Sequence, residues 1–222
     1  MRRVLALALV GILLAGCTSF PARAYYSPPS ARTSVLAQTL YRAAHAAGDD
    51  PTRYSFALIR TRRVTAVSDE DAIFYFSEGL ADQPPAVVDA LVAHEVAHEV
   101  LKHVGQRRAL SIGVSAGFAI LGFVVPGLGL ADFIVNPIVV RAFTREQELE
   151  ADRRAIEILR SMGHVAPRRM LEHALTAAAT INGPQPTGLM AKEPALEERL
   201  AALEPLESVT DLAAESGKPR PR

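Results

Sequence analysis

His94-Glu95-Val96-Ala97-His98 is the stretch of this sequence with the clearest chemistry. Imidazoles four residues apart on a helix lie on one face, a little over a turn apart, and can share a single cation. Glu95, one position on from the first imidazole, reaches the same place from the side as a general base toward an activated water. Apolar neighbours Val92, Ala93, Val96, Ala97, Val100 and Leu101 predict a buried, pre-organised helix around the motif. Such an arrangement suits metal-assisted hydrolysis, which needs a third protein ligand and one open position for water or substrate.

Glu148-Leu149-Glu150-Ala151-Asp152 offers that ligand. Glu148 and Asp152 share a helix face, and Glu150 points elsewhere. Glu148 is placed to ligate the metal, and Asp152 to bond the far nitrogen of one histidine and fix its tautomer. By itself the charged run from Arg145 to Arg154 reads as a solvated helix face; only the upstream HExxH makes it a ligand set. Two imidazoles and a carboxylate suit zinc, one ion per chain. His103, five residues beyond His98, falls well round the helix and is expected to support the site or cap the helix rather than ligate. The third histidine and preceding glycine turn of a metzincin are absent. His45, His164 and His173 have no motif around them and are expected to be surface or packing residues.

These side chains need two helices. Pro84-Pro85 suits a helix start, where missing N–H groups cost nothing, and predicts the HExxH helix from Ala86 to about Val104. The second motif helix is expected from Asp132 or Pro137 to Met162, closed by Gly163. Apolar spacing predicts a helix over Thr33–Ala47, ended by Gly48-Asp49-Asp50-Pro51. Tyr54–Ile59, Val64–Val67 and Ala72–Phe76 are short β-branched or aromatic runs, read as a small sheet. Further helices are expected at Pro167–Thr180 and Pro194–Leu206. The fold class is therefore α+β, mainly helical, in one domain over 33–206 with a flexible tail over 207–222.

The amino terminus reads as an address. Arg2 and Arg3, the apolar stretch Val4–Ala15 and the small residues before Cys17 follow the order of a secretory signal peptide over 1–16. Leu14-Ala15-Gly16-Cys17 resembles the bacterial lipobox, which implies lipidation of Cys17. Thr18 in place of aspartate then points to the outer rather than the inner membrane. A Pro/Ser/Arg-rich segment over 17–32 reads as a linker. With one cysteine no internal disulfide is possible, and 24 basic residues against 24 acidic give no footprint for nucleic acid.

Between the motifs, Ala109–Ala131 carries no charge. A single membrane crossing there would separate Glu148 from His98, and two crossings need ~40 residues, more than Arg108 to Arg141 supplies. Pro126-Gly127-Leu128-Gly129 suggests the turn of an apolar helical hairpin instead. Its uses stay open: covering the active site, dipping into a bilayer surface, or core packing.

HEVAHEVLKH (His94–His103) followed by ELEAD (Glu148–Asp152) resembles the HtpX-like zinc metalloendopeptidases, a group that includes the CAAX prenyl protease. The resemblance covers about Thr33–Leu206 and implies a zincin-like domain. It further implies zinc held by His94, His98 and Glu148, catalysis by Glu95, and a supporting bond from Asp152. The resemblance also implies that Val64–Leu80 occupies the place of the family's edge strand, which holds substrate in extended form. Where soluble relatives carry Thr-His-Pro, this chain has Lys192-Glu193-Pro194, then Arg199, so Glu193 stands where a histidine can approach the metal and restrain activity. The expected function is a membrane-tethered endopeptidase cutting unfolded or misassembled envelope proteins on the periplasmic face. The alternative is a lipoprotein chaperone or assembly factor using the same cleft with little or no proteolysis.

Overall fold

The structure, a computed structural model, describes residues 24–109, 143–183 and 195–208. The segment read as a signal peptide, Cys17, the apolar stretch beyond Ala109 and Glu193 lie outside the described residues.

Strand β1 (Ala24–Tyr25) leads to helix α1 (Ala31–Ala47), then come β2 (Ser55–Ile59), β3 (Ala66–Asp69) and β4 (Ile73–Ser77). Helices α2 (Glu78–Ala81), α3 (Pro85–Val100), α4 (Arg145–Ser161), α5 (Pro167–Asn182) and α6 (Leu196–Ala202) follow. The protein is mainly helical with a small four-stranded sheet of order β1-β2-β4-β3. β2 and β4 are parallel, and β1 and β3 are antiparallel edges. Tight reversal between β3 and β4 puts Asp71 and Ala72 at positive φ, 58° and 56°.

Several elements differ from the sequence expectation: the sheet has four strands where two or three were expected, and the last helix spans Leu196–Ala202 within the expected Pro194–Leu206. The stretch read as linker up to Arg32 contributes β1, whose Ala24 and Tyr25 pair with Ile59 and Leu58, and the first turn of α1. Ser30 caps α1 through a capping box with Thr33, which starts the helix before Thr33 itself. The ELEAD helix begins at Arg145, later than expected, because Thr144 and Gln147 form a second capping box there. The HExxH helix ends at Val100 and not near Val104, since Lys102 adopts a left-handed φ of 63° before helical geometry resumes over 103–109.

Helix α3 is the centre of the molecule. Val87, Val88, Ala90, Val92, Ala93, Val96 and Ala97 are all buried, so nearly every face of it is covered. It packs against α1, α4, α5 and β3. Phe74 and Phe76 of β4 are fully buried in the same core, each worth about 1.5–3 kcal/mol of burial. Asp89 of α3 adds a polar anchor: its carboxylate accepts from Thr39 Oγ1 at 2.9 Å and Arg42 Nη2 at 2.7 Å, both on α1. His164, just past α4, brings Nε2 to 3.2 Å from the other Asp89 oxygen. The helix that carries HExxH is thus fixed to its neighbours by packing and by a buried ion cluster.

Candidate metal centre

Helix α3 delivers His94, Glu95 and His98 to one place because its other faces are buried against the core. Helix α4 crosses it so that Glu148, in the first turn, and Asp152, one turn on, face the histidines. All five side chains are buried. His94 Nε2 and His98 Nε2 are 3.1 Å apart. Glu148 closes the triangle, with Oε2 at 3.3 Å from His94 Nε2 and Oε1 at 3.5 Å from His98 Nε2.

Donors about 2.0–2.1 Å from one tetrahedral ion stand roughly 3.3–3.4 Å from each other, the edge of the tetrahedron. The measured 3.1, 3.3 and 3.5 Å bracket that value. Charge agrees with geometry: Glu95, Glu148 and Asp152 are buried together, with Arg199 as the positive group beside them. Three carboxylates against one guanidinium leave a demand for positive charge that a divalent cation meets. His94, His98 and Glu148 are the group of described residues able to hold one.

Each ligand candidate is oriented from behind. Asp152 Oδ1 lies 2.9 Å from His94 Nδ1, so that nitrogen carries a proton and Nε2 is the one left to face a cation. Asp152 is itself held by Arg199, whose Nε and Nη2 donate at 2.8 and 2.6 Å. Arg199 Nη1 also reaches Glu148 Oε2 at 3.4 Å. Behind His98 the partner is His103, Nδ1 to Nδ1 at 3.0 Å, and His103 Nε2 meets Glu150 Oε2 at 3.4 Å. A carboxylate at the end of that chain sets its direction: His103 Nε2–H donates to Glu150, and His103 Nδ1 accepts from His98 Nδ1–H. Both histidines therefore turn Nε2, the nitrogen not held from behind, to the same point.

The electrostatics follow. Burial raises the Glu148 carboxyl, but hydrogen bonds to His94 and His98 and the charges of His94 and Arg199 outweigh it and hold it far below the usual carboxylate range. Burial and then Arg199 push the His94 imidazole down, while its bonds to Asp152 and Glu148 push it up further, for a net rise. His98 is lowered by burial and by the charge of His94, which keeps it neutral.

The sequence placed His103 well round the helix; the left-handed Lys102 instead folds it back onto His98. Glu150, expected to point elsewhere, ends that hydrogen-bond chain while remaining half exposed. Two further side chains had no motif to announce them. Phe143 stacks on the His98 ring at 3.8 Å between centroids and 17° between planes, and the Arg107 guanidinium lies over the Phe143 ring at 4.7 Å from its centroid. Glu95 does not join the ligand triangle. Its Oε2 accepts from the main-chain N–H of Ser68 on β3, at 2.7 Å.

The family model for peptidase family M48 matches residues 30–207. No curated protein matches the chain.

Proposed function

Since the chain belongs to peptidase family M48, we propose that it is a zinc-dependent endopeptidase in which Glu95 is the general base. The proposed substrates are unfolded or misassembled envelope proteins, cut on the periplasmic face of a bacterial membrane. The observation that carries the activity is the convergence of His94 Nε2, His98 Nε2 and a Glu148 oxygen pair within 3.1–3.5 Å of one another.

His94, His98 and Glu148 would hold the ion, and Asp152 and His103 fix the two imidazoles in the ligating tautomer. Zinc, when bound, supplies Lewis acidity toward a carbonyl and a lowered pKa for water. Glu95 takes a proton from the attacking water and gives it to the leaving amine, so water adds to the carbonyl carbon while the C–N bond breaks. Arg199 balances the charge of Glu148 and Asp152 and keeps both aimed inward. β3 ends the strand order among the described residues, and its outer edge, beside Glu95, has main-chain groups to which an extended peptide can pair. A substrate bound in that way must be locally unfolded, which supports the choice of unfolded chains.

Lipid attachment at Cys17 and an outer-membrane site belong to the same proposal and rest on the Leu14–Cys17 order and Thr18. No helix among the described residues is long and apolar enough to cross a membrane. Purified protein is expected to hold one zinc per chain and to cut an unfolded casein. Glu95→Gln should keep the zinc and lose cleavage, and His98→Ala should lose the zinc. A Glu95→Gln protein that still digests casein at the original rate removes Glu95 from the mechanism.

A further inference from the structure

Strand β3 is an edge of the sheet, and its register says which main-chain groups are spare. Ser77 N–H donates to Thr65 O at 2.9 Å, just before β3 begins. Beyond it Val67 stands opposite Tyr75, Ser68 opposite Phe74 and Asp69 opposite Ile73. Hydrogen-bonded pairs alternate with non-bonded ones along an antiparallel ladder. Bonding at Thr65–Ser77 therefore continues at Val67–Tyr75 and Asp69–Ile73, and the N–H and C=O of Ala66 and Ser68 turn outward. Those are the groups an added strand pairs with.

One of them already has a partner. The outward Ser68 N–H donates to Glu95 Oε2 at 2.7 Å in a buried contact. The Ser68 side chain takes no part, because its Oγ is buried without a hydrogen-bond partner among the described residues. A single main-chain donor thus belongs both to the edge that a peptide would use and to the carboxylate proposed as base.

We propose that Glu95 and an incoming peptide strand compete for the Ser68 N–H, so that pairing on β3 releases the Glu95 carboxylate toward the scissile bond. The inference rests on the assignments of Glu95 as base and β3 as substrate edge. No covalent bond changes; a carbonyl of the peptide accepts the N–H that Glu95 gives up. An extended chain covering Ser68 frees the base as it binds. A peptide too short to reach Ser68 leaves Glu95 held, so the contact makes turnover depend on strand pairing as well as on access to the metal.

The test uses zinc-loaded full-length protein and a fluorescent casein peptide. Glu95→Gln and Glu95→Ala both lack the base, so binding is measured without cleavage. A glutamine oxygen still accepts from Ser68 N–H, and alanine cannot. The Glu95→Ala protein is expected to bind the peptide roughly threefold to tenfold more tightly than Glu95→Gln, the range of one neutral hydrogen bond. Ser68→Pro removes the N–H at an outward edge position, where proline is tolerated, and should erase the contrast; Ser68→Ala should keep it. Equal affinities, or weaker binding by Glu95→Ala, overturn the competition. If Ser68→Pro does not fold, hydrogen exchange at the Ser68 amide decides. Faster exchange in Glu95→Ala than in Glu95→Gln supports the contact, and equal exchange overturns it. Cleavage by Glu95→Gln would instead overturn the base assignment, a different result from a different measurement.

Discussion

Around the proposed ion, the residues behind the ligands differ in how firmly they hold. Asp152 is nearly sealed and touches both His94 and Arg199, whereas His103 leans on a Glu150 that is 51% exposed. Removing a group that orients a ligand typically costs ~10–100-fold in metal affinity. Asp152→Ala should fall near the upper end of that range, since it frees the His94 tautomer and strands Arg199 beside Glu148. His103→Ala should fall near the lower end. Titration with a competing zinc chelator separates them, and a His103→Ala protein losing more zinc affinity than Asp152→Ala would reverse this ranking.

Contacts between elements fix the frame in which α3 sits. Gly79, at the start of α2, has no room for a side chain: a Cβ there would stand 2.3 Å from the Arg62 carbonyl oxygen and 2.5 Å from that of Arg63. Those are backbone atoms, held in place by the Gly79 N–H to Thr61 O bond and by Asn182, whose side chain brackets both main-chain groups of Val64. Gly79→Ala is therefore expected to cost about 3 kcal/mol, roughly 6–12 °C in Tm for a chain of this size. Thermal unfolding checks it.

The Asp89 cluster ties α1, α3 and the turn after α4, and its contribution depends on pH. Burial raises the Asp89 carboxyl, but His164, Arg42 and Thr39 together lower it below its ordinary value of 3.8. A folded pKa below the unfolded one gives stability that is full above the unfolded value and disappears as pH falls through the folded value. Wild type should exceed Asp89→Asn in denaturant midpoint near neutral pH, and the gap should close below about pH 4. A gap that persists unchanged at pH 2.5 would assign the difference to packing.

For the whole molecule, the proposed ligands lie far apart in sequence, on α3 and α4, so an ion bound there braces the packing of the two helices. Anything that binds the folded state alone stabilises it by mass action, about 4 kcal/mol when free ligand is a thousandfold above Kd. Chelation should therefore lower Tm by several degrees and restore it on adding zinc. The buried carboxylates Glu148 and Asp152 should make the zinc-free protein less resistant to proteolysis across α3 and α4. An unchanged Tm after complete removal of zinc would mean that the ion does not join these helices.

The sequence by itself marked most of the elements and the candidate ligand set, because both are written in local spacing. The HExxH and ExxxD intervals put His94 with His98 and Glu148 with Asp152 on single helix faces, and short β-branched or aromatic runs marked three of the strands. The capping box at Thr144 is a local pattern of the sequence, Thr-x-x-Gln, whereas the one at Ser30 has Thr33 where glutamate or glutamine is usual and shows only in the structure. What only the tertiary structure decided is how separate pieces of chain meet. The left-handed turn at Lys102, at a residue with no special propensity for it, brings His103 onto His98. Phe143 covers His98 because α4 crosses α3 there, and Ser68 meets Glu95 through a main-chain N–H that no side-chain pattern encodes. Local sequence biases dihedral angles and faces; distances between elements are set by the packing of the whole core, where no single residue carries the information.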